Sequence, residues 1–515
     1  MDSRIKNIVI VGGTAAGWMA AAHLAKAFQG TVTVTLLDTP DRDPGTSMTG
    51  EVDAAAPETQ RAFFDPLGIH ESEWMRACRA SFRTAVRYVN WRTEGPAVTA
   101  ARTLRNDGAD HFYRPVEGVL PKIDGFRLPH YWAWRRRTGD TVEPFDYACF
   151  REPPLMDARK SPRWLDGRMA VPYAWHVDSR LFTEFLRRFA TEQLDVRAVR
   201  DAFRYAERDS EGFLTAVGTA TGRVITGDFF LDCTGQDGLL ITDVLGEPRV
   251  ATHDRLVCDS AVTVTVPHDD AGRGIEPYTT AVAMPDGWTW KMPLPGRVGA
   301  GHVYAAEQTE PEEAARRLCG LWGLDPERTP LRHLRYRTGR SHRSWVKNCV
   351  AVGASSYLLE PLEPSGMSGV IHTLTQLVRY FPAPHSRDAP AARFNRAIKT
   401  RYDEARDFIQ LHYAAGPRRD TPFWQAHRTL AVPAAVHDRT AAHRGGFPFP
   451  ASDIPHHTVL AALAPAPPAA PAALAHKPDS IRAAAAQFER IKRQQRILLE
   501  TLPSAHTYLD RLHSR

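Results

Sequence analysis

The sequence predicts an α/β protein with a dinucleotide-binding, Rossmann-type core, inserted segments covering that core, and a helical C-terminal region. Three observations carry this expectation. The chain opens on an apolar strand, a glycine turn and a small-residue helix; an acid follows about twenty residues later; and two distant apolar strands end in Thr-Gly and Val-Gly.

The opening unit is "IVIVGGTAAGWMAAAHLAKAF", from Ile8. Ile8 to Val11 reads as a buried strand, Gly17 to Phe28 as a helix, and "TVTVTLLD" as a second strand ending at Asp38. A G-x-G-x-x-G turn would place glycines at 12, 14 and 17. Gly12 and Gly17 are present, with Gly13 beside them, but Thr14 stands where the middle glycine admits a pyrophosphate. Asp38 is placed to bind a ribose hydroxyl.

"VITGDFFLDCTG" (224–235) and "NCVAVGASSYLLEP" (348–361), with Gly353 at its turn, read as further strands of the same sheet. The core is therefore expected in pieces, 1–40, 220–245 and 345–382. Residues 41–219 and 246–344 would form inserted layers, and 383–515 a helical region. Within that region 438–476 is expected to be irregular, because "AALAPAPPAAPAALAHKP" (461–478) is broken by prolines. From Asp479 an amphipathic helix is expected. No internal repeat is seen.

Bulk composition removes several function classes. Charged residues are 24% and the net charge of +6 is small for 515 residues, with one short basic cluster at "WRRRTG" (134–139), so no nucleic-acid stripe is expected. The six cysteines stand apart without C-x-x-C or metal spacing, which predicts a reduced, cytoplasmic protein and no metal. No apolar run approaches a membrane span.

Several segments together resemble the flavin-dependent tryptophan halogenases, whose fold is flavin-monooxygenase-like. They are "NIVIVGGTAAGWMAA"; "LGIHESEWMRACRASFRTAVRYVNWR" (67–92); "CDSAVTVTVPHDD"; "GWTWKMPLPGRVGAGHVY" (287–304), with Trp288, Trp290 and Pro293; "LEPLEPSGMSGVIHTLTQLVRYFP" (359–382); and "RDFIQLHY" with "DTPFW". These six are collinear and span nearly the whole chain.

The resemblance implies FAD as cofactor and an indole as substrate. In that family reduced flavin and oxygen convert halide to hypochlorous acid, which travels through a tunnel to a separate site. There a lysine hands the halogen to the indole, and a glutamate stabilises the cationic ring or removes its proton. Glu363, between Pro361 and Pro364, matches the glutamate; Ser365 follows it. Arg83 stands where the family has lysine, and arginine is always charged and presents a planar donor fork. It would suit a substrate carboxylate, or simply pair with Glu363. The flavin-side segment "GTSMTGEVDAAAPET" (45–59) keeps Gly50, Glu51 and Pro57 and loses the pattern between them. With Thr14, this argues for weak or absent FAD binding. On the substrate side, His111 opens an "HFY" run, and the two indole-sandwiching positions after it read Arg114 and Val116.

Three functions follow as expectations. The first is an enzyme of specialised metabolism acting on tryptophan or a related indole by flavin-independent acid/base chemistry. A Pictet–Spengler-type condensation, with Glu363 as base and Arg83 or Arg114 holding a carboxylate, is its concrete form. The second is an FADH2-dependent halogenase supplied by a flavin reductase. The third is a non-catalytic paralogue acting as a partner. A homodimer is a candidate assembly.

Overall fold

The computed structural model describes residues 5–39, 49–93, 110–118, 120–252, 254–363, 365–382, 388–464 and 468–514. In chain order the elements used below begin with β1 (Asn7–Val11), α1 (Ala15–Phe28), β2 (Thr33–Asp38), β3 (Ser81–Arg83), β4 (Ala85–Val89) and β5 (His111–Pro115). Next come α2 (Phe145–Cys149), α3 (Glu152–Asp157), β6 (Ala174–Asp178), α4 (Ser179–Gln193), β7 (Arg197–Arg200) and β8 (Phe229–Asp232). Then follow β9 (Ser260–Pro267), β10 (Tyr278–Met284), β11 (Gly287–Leu294), β12 (Arg297–Tyr304), β13 (Trp345–Val346) and β14 (Cys349–Ala351). The chain ends with α5 (Ser365–Arg379), α6 (Asp388–Ala415), α7 (Ala434–Gly445), α8 (Ile454–Leu463) and α9 (Pro478–Thr501).

Two compact units emerge. Unit 1 comprises 1–80, 177–253 and 335–406; unit 2 comprises 81–176, 254–334 and 407–515. Unit 1 is built on a sheet of order β7-β2-β1-β8-β14-β13, parallel except for the last pair. Its central strand reads as an unbroken apolar run, Ile8 to Val11, because a parallel strand is covered on both faces. Val9, Val11, Leu37, Phe230 and Leu240 fill one such layer. Each large apolar side chain so buried contributes about 1.5–3 kcal/mol. α1 packs against α4, and Ala20, Ala21 and Ala22 are the small residues that permit a close approach. The strand order reverses at β1, with β2 on one side and β8 on the other, and such a switch point is where open α/β sheets bind ligands.

The expected partition needs correction. Residues 41–80 and 177–219, expected in an inserted layer, belong to unit 1: α4 covers α1, and β7 extends the sheet beside β2. Residues 383–515 form no separate region, since 407–515 fold with unit 2. The range 438–476 is not irregular throughout either. It holds most of α7, all of α8 and a short 3-10 turn at Ala472–His476. Of its prolines, Pro455 sits in the first turn of α8, where it is tolerated, and Pro450 and Pro471 stand just before short 3-10 turns, while Pro465 and Pro467 lie outside the described residues.

In unit 2, β9-β12-β11-β10-β4-β5 are successive neighbours in one sheet. Trp290 of β11 lies opposite Gly301 of β12, and its indole occupies the space a side chain at 301 would take. Trp288 and Trp290 are fully buried, so the Trp-x-Trp pattern here is core packing. α2, α3 and α9 bury Leu155, Met156, Leu498 and Leu502 against Ala85, Tyr113 and Tyr278. None of the six cysteines is in a disulfide, and all are buried.

Candidate active site

The turn from β1 into α1 shows which glycines the backbone requires. Gly12 has φ +114°, and a Cβ there would fall inside the Cys233 carbonyl. A Cβ on Gly17 would fall inside the Gly12 carbonyl, and one on Gly13 inside the Asp38 carboxylate. Gly353 has φ +69°, and an added Cβ would lie 3.0 Å from the Ala16 Cβ. These residues and Asp38 therefore meet at the carboxyl ends of the central strands.

Position 14 differs. Thr14 has φ −75° and ψ 172°, extended backbone open to any residue, and its hydroxyl donates to the Cys233 carbonyl at 3.3 Å. Loss of the middle glycine costs no backbone strain. α1 starts one residue later, with no acid in its first turn to compete for an anion. Asp38 is half-buried; burial raises its carboxyl above the usual value, and the charges of Arg200 and Arg187 oppose that rise. A bare glycine turn, a helix N-terminus and an acid at the end of the second strand fit a flavin dinucleotide. Gly12, Gly13 and Gly17 would face the pyrophosphate, and Asp38 a ribose hydroxyl. Gly50, at φ +77°, makes a turn within the divergent segment.

The sequence reading missed Asp232. It is fully buried and takes hydrogen bonds from the backbone of Leu240 and Ile241, both at 2.8 Å, from both polar groups of Thr234, and from Ser355 Oγ at 3.0 Å. An Asp at a strand end before Cys-Thr-Gly was the available signal.

Glu363 lies half-buried in the turn before α5, in unit 1. Ser365 opens α5; Pro364 lies outside the described residues. The first turn of α5 is fastened by Ser368, whose hydroxyl donates to Glu58 and accepts from Arg401 at 2.8 Å. Thus the divergent 45–59 segment is still tied to the helix that follows Glu363.

Arg83 belongs to unit 2. It is 2% exposed, and its Nε donates to Thr279 Oγ1 at 3.1 Å. Thr279 Oγ1 also meets His176 Nε2 at 2.8 Å, His176 Nδ1 meets Ser81 Oγ at 3.2 Å, and Ser81 Oγ donates to the Pro293 carbonyl at 2.5 Å. Burial, reinforced by the Arg83 charge, holds His176 well below the ordinary histidine range, so the ring is neutral. Only one proton order satisfies every contact. Arg83 donates to Thr279, Thr279 to His176 Nε2, His176 Nδ1 to Ser81, and Ser81 to the carbonyl.

Arg114 lies on β5 opposite Val86, and Val116 N donates to the carbonyl of Thr84, next to Arg83. Unit 2 therefore holds Arg83 at the end of β3, Arg114 on β5 and Val116 just past β5. The Arg114 guanidinium stands 5.5 Å from the centre of the Phe408 ring, and Phe408 is flanked by His412 and His456. The same face carries Tyr88 stacked on Phe112. His111 is not on this face. Strand alternation turns it the other way, toward Tyr113 and Tyr147, with Nε2 3.4 Å from the Tyr147 hydroxyl.

The family model described as tryptophan halogenase matches residues 7–461. The chain belongs to the tryptophan halogenase family. A tryptophan 7-halogenase of Lentzea aerocolonigenes is 46% identical over 100% of both chains. The crystal structure of a tryptophan 6-halogenase from Streptomyces toxytricini superposes with a TM-score of 0.89 at 36% identity, covering 98% of this chain and 99% of that one. A tryptophan C-6 flavin-dependent halogenase from taromycin biosynthesis gives a TM-score of 0.88 at 34% identity, over 98% of this chain and 99% of that one. Tryptophan halogenases are flavin-dependent enzymes acting on tryptophan, and the α/β fold here is theirs. Among the described residues, no group of His, Cys, Asp and Glu could hold a metal ion, and no helix is long and apolar enough to cross a membrane.

Proposed function

We propose that this chain acts on tryptophan or a closely related indole without passing halogen through an amine at position 83. The carrying observation is Arg83 itself: a buried guanidinium pinned through Nε by the Thr279–His176–Ser81 relay. Such a group stays charged, offers N–H donors in a fixed plane, and cannot serve as a neutral amine nucleophile. It suits a carboxylate, with Arg114 as a second cation of the same unit.

The reaction this favours is condensation of the substrate's side-chain amine, the α-amine in tryptophan, with a carboxylate-bearing aldehyde. Water leaves as the iminium forms, an indole ring carbon attacks the iminium carbon, and a general base takes the ring proton. Arg83 or Arg114 orients the partner's carboxylate. A second reading is halogenation with Arg83 holding hypohalous acid by hydrogen bonds; the retained cradle of Gly12, Gly13, Gly17 and Asp38 favours it. When bound, FAD supplies the oxidising chemistry for halide.

Two assays separate the readings. Tryptophan with glyoxylate and no flavin should give a cyclised product, and Arg83→Met should lower kcat/KM for glyoxylate at least about tenfold, near 1.4 kcal/mol. Tryptophan with FAD, a flavin reductase, NADH, oxygen and chloride should give no chlorotryptophan until Arg83→Lys restores the amine. Chlorotryptophan from the parent protein would discard the first reading and establish the second.

A further inference from the structure

The face of β4 opposite Tyr88 carries Arg87, whose side chain is 1% exposed. Its register partners are Tyr113 on β5 and Thr280 on β10. The Tyr113 ring packs 5.5 Å from Tyr278 and 6.3 Å from Tyr147. Burial drives all three phenols up, and the Arg87 charge is among the groups opposing that rise. So the guanidinium sits inside a small phenol-lined compartment of the unit 2 core.

No described carboxylate pairs with it directly. Among the described residues, Arg87 Nε and Nη2 have no hydrogen-bond partner, and Arg87 forms no ion pair. The nearby carboxylates are committed elsewhere: Asp157 accepts the hydroxyls of Tyr113 at 3.0 Å and Tyr147 at 2.7 Å, and Glu276 pairs with Lys291 at 2.6 Å. A buried cation is retained in a protein only when something compensates it. A guanidinium has donors and no acceptor, so its partner must be an acceptor, and its fixed charge selects an anion. Leu155, Met156, Leu498 and Leu502 pack on this face, and so apolar a lining favours a small anion over a bulky carboxylate or phosphate.

We propose that Arg87 holds a single halide ion in the core of unit 2, separate from the strand face that carries Arg114. The ion fastens β4 to β5 from behind. It is a structural halide, chloride in a chloride medium and bromide when that is supplied, distinct from any halide consumed in turnover.

Bromide can be located directly. Crystals of the flavin-free protein grown in sodium bromide should show an anomalous peak within hydrogen-bond reach of Arg87 Nε and Nη2; no peak there overturns the proposal. In solution, chloride or bromide should raise Tm by at least roughly 2 °C over acetate at equal ionic strength, and Arg87→Met should abolish the difference. A parent protein indifferent to the anion, or an Arg87→Met protein with the full halide response, also overturns it. Should Arg87→Met fail to fold, the bromide peak in the parent decides.

Discussion

A methyl carbon at position 13 would collide with the Asp38 carboxylate, whereas position 14 already tolerates a threonine side chain. Gly13→Ala is therefore expected to weaken FAD binding at least about tenfold, near 1.4 kcal/mol, while Thr14→Gly leaves it little changed. Calorimetric titration checks both; a Gly13→Ala protein that binds like its parent would show that the turn is not the cradle. The spacing of Gly12, Gly17 and Asp38 was legible because a tight turn and a ribose acid impose fixed intervals. The harmlessness of Thr14 was not, since it depends on where one hydroxyl turns. The setting of Arg83 was equally hidden: Ser81, His176, Thr279 and Pro293 come from four separate stretches of chain.

Among the elements, α7 and α8 carry a group of histidines in an apolar setting. His443 and His457 face each other with Nδ1 atoms 3.2 Å apart, and His456 abuts Phe408. Burial pushes them down to about 4, about 2 and about 3 respectively, with neighbouring positive charges adding to the effect. The sign follows. A chain with these helices unfolded binds protons near 6.5 and the folded one does not, so stability is full above about 6.5 and falls as the pH drops toward 4. Hydrogen exchange over 434–463 is expected to accelerate between pH 7 and pH 5, and His457→Leu should blunt the change. Equal protection at both pH values would remove these histidines as the cause. The density of prolines predicts irregular chain here, whereas Pro455, in the first turn of α8, loses no helical hydrogen bond.

For the molecule as a whole, the α/β class and the family were readable from collinear segments, while the partition was not. Three stretches interleave in each unit, and composition gives no sign that 177–219 returns to the first sheet. If unit 1 holds FAD, ligand at about 100 times Kd should add about 2.7 kcal/mol to its stability. A thermal scan with and without FAD would show the shift, and its absence would leave only the flavin-independent reading.

The Arg83 relay has a direction, and direction leaves a spectroscopic trace. Every proton from the guanidinium to the Pro293 carbonyl points the same way, so His176 is confined to one tautomer. In nitrogen NMR its Nδ1 should resonate as a pyrrole-type nitrogen and its Nε2 as a pyridine-type one, unmoved across neutral pH. With Thr279→Val the ring loses the donor that fixes Nε2, and the two signals should converge as the tautomers mix.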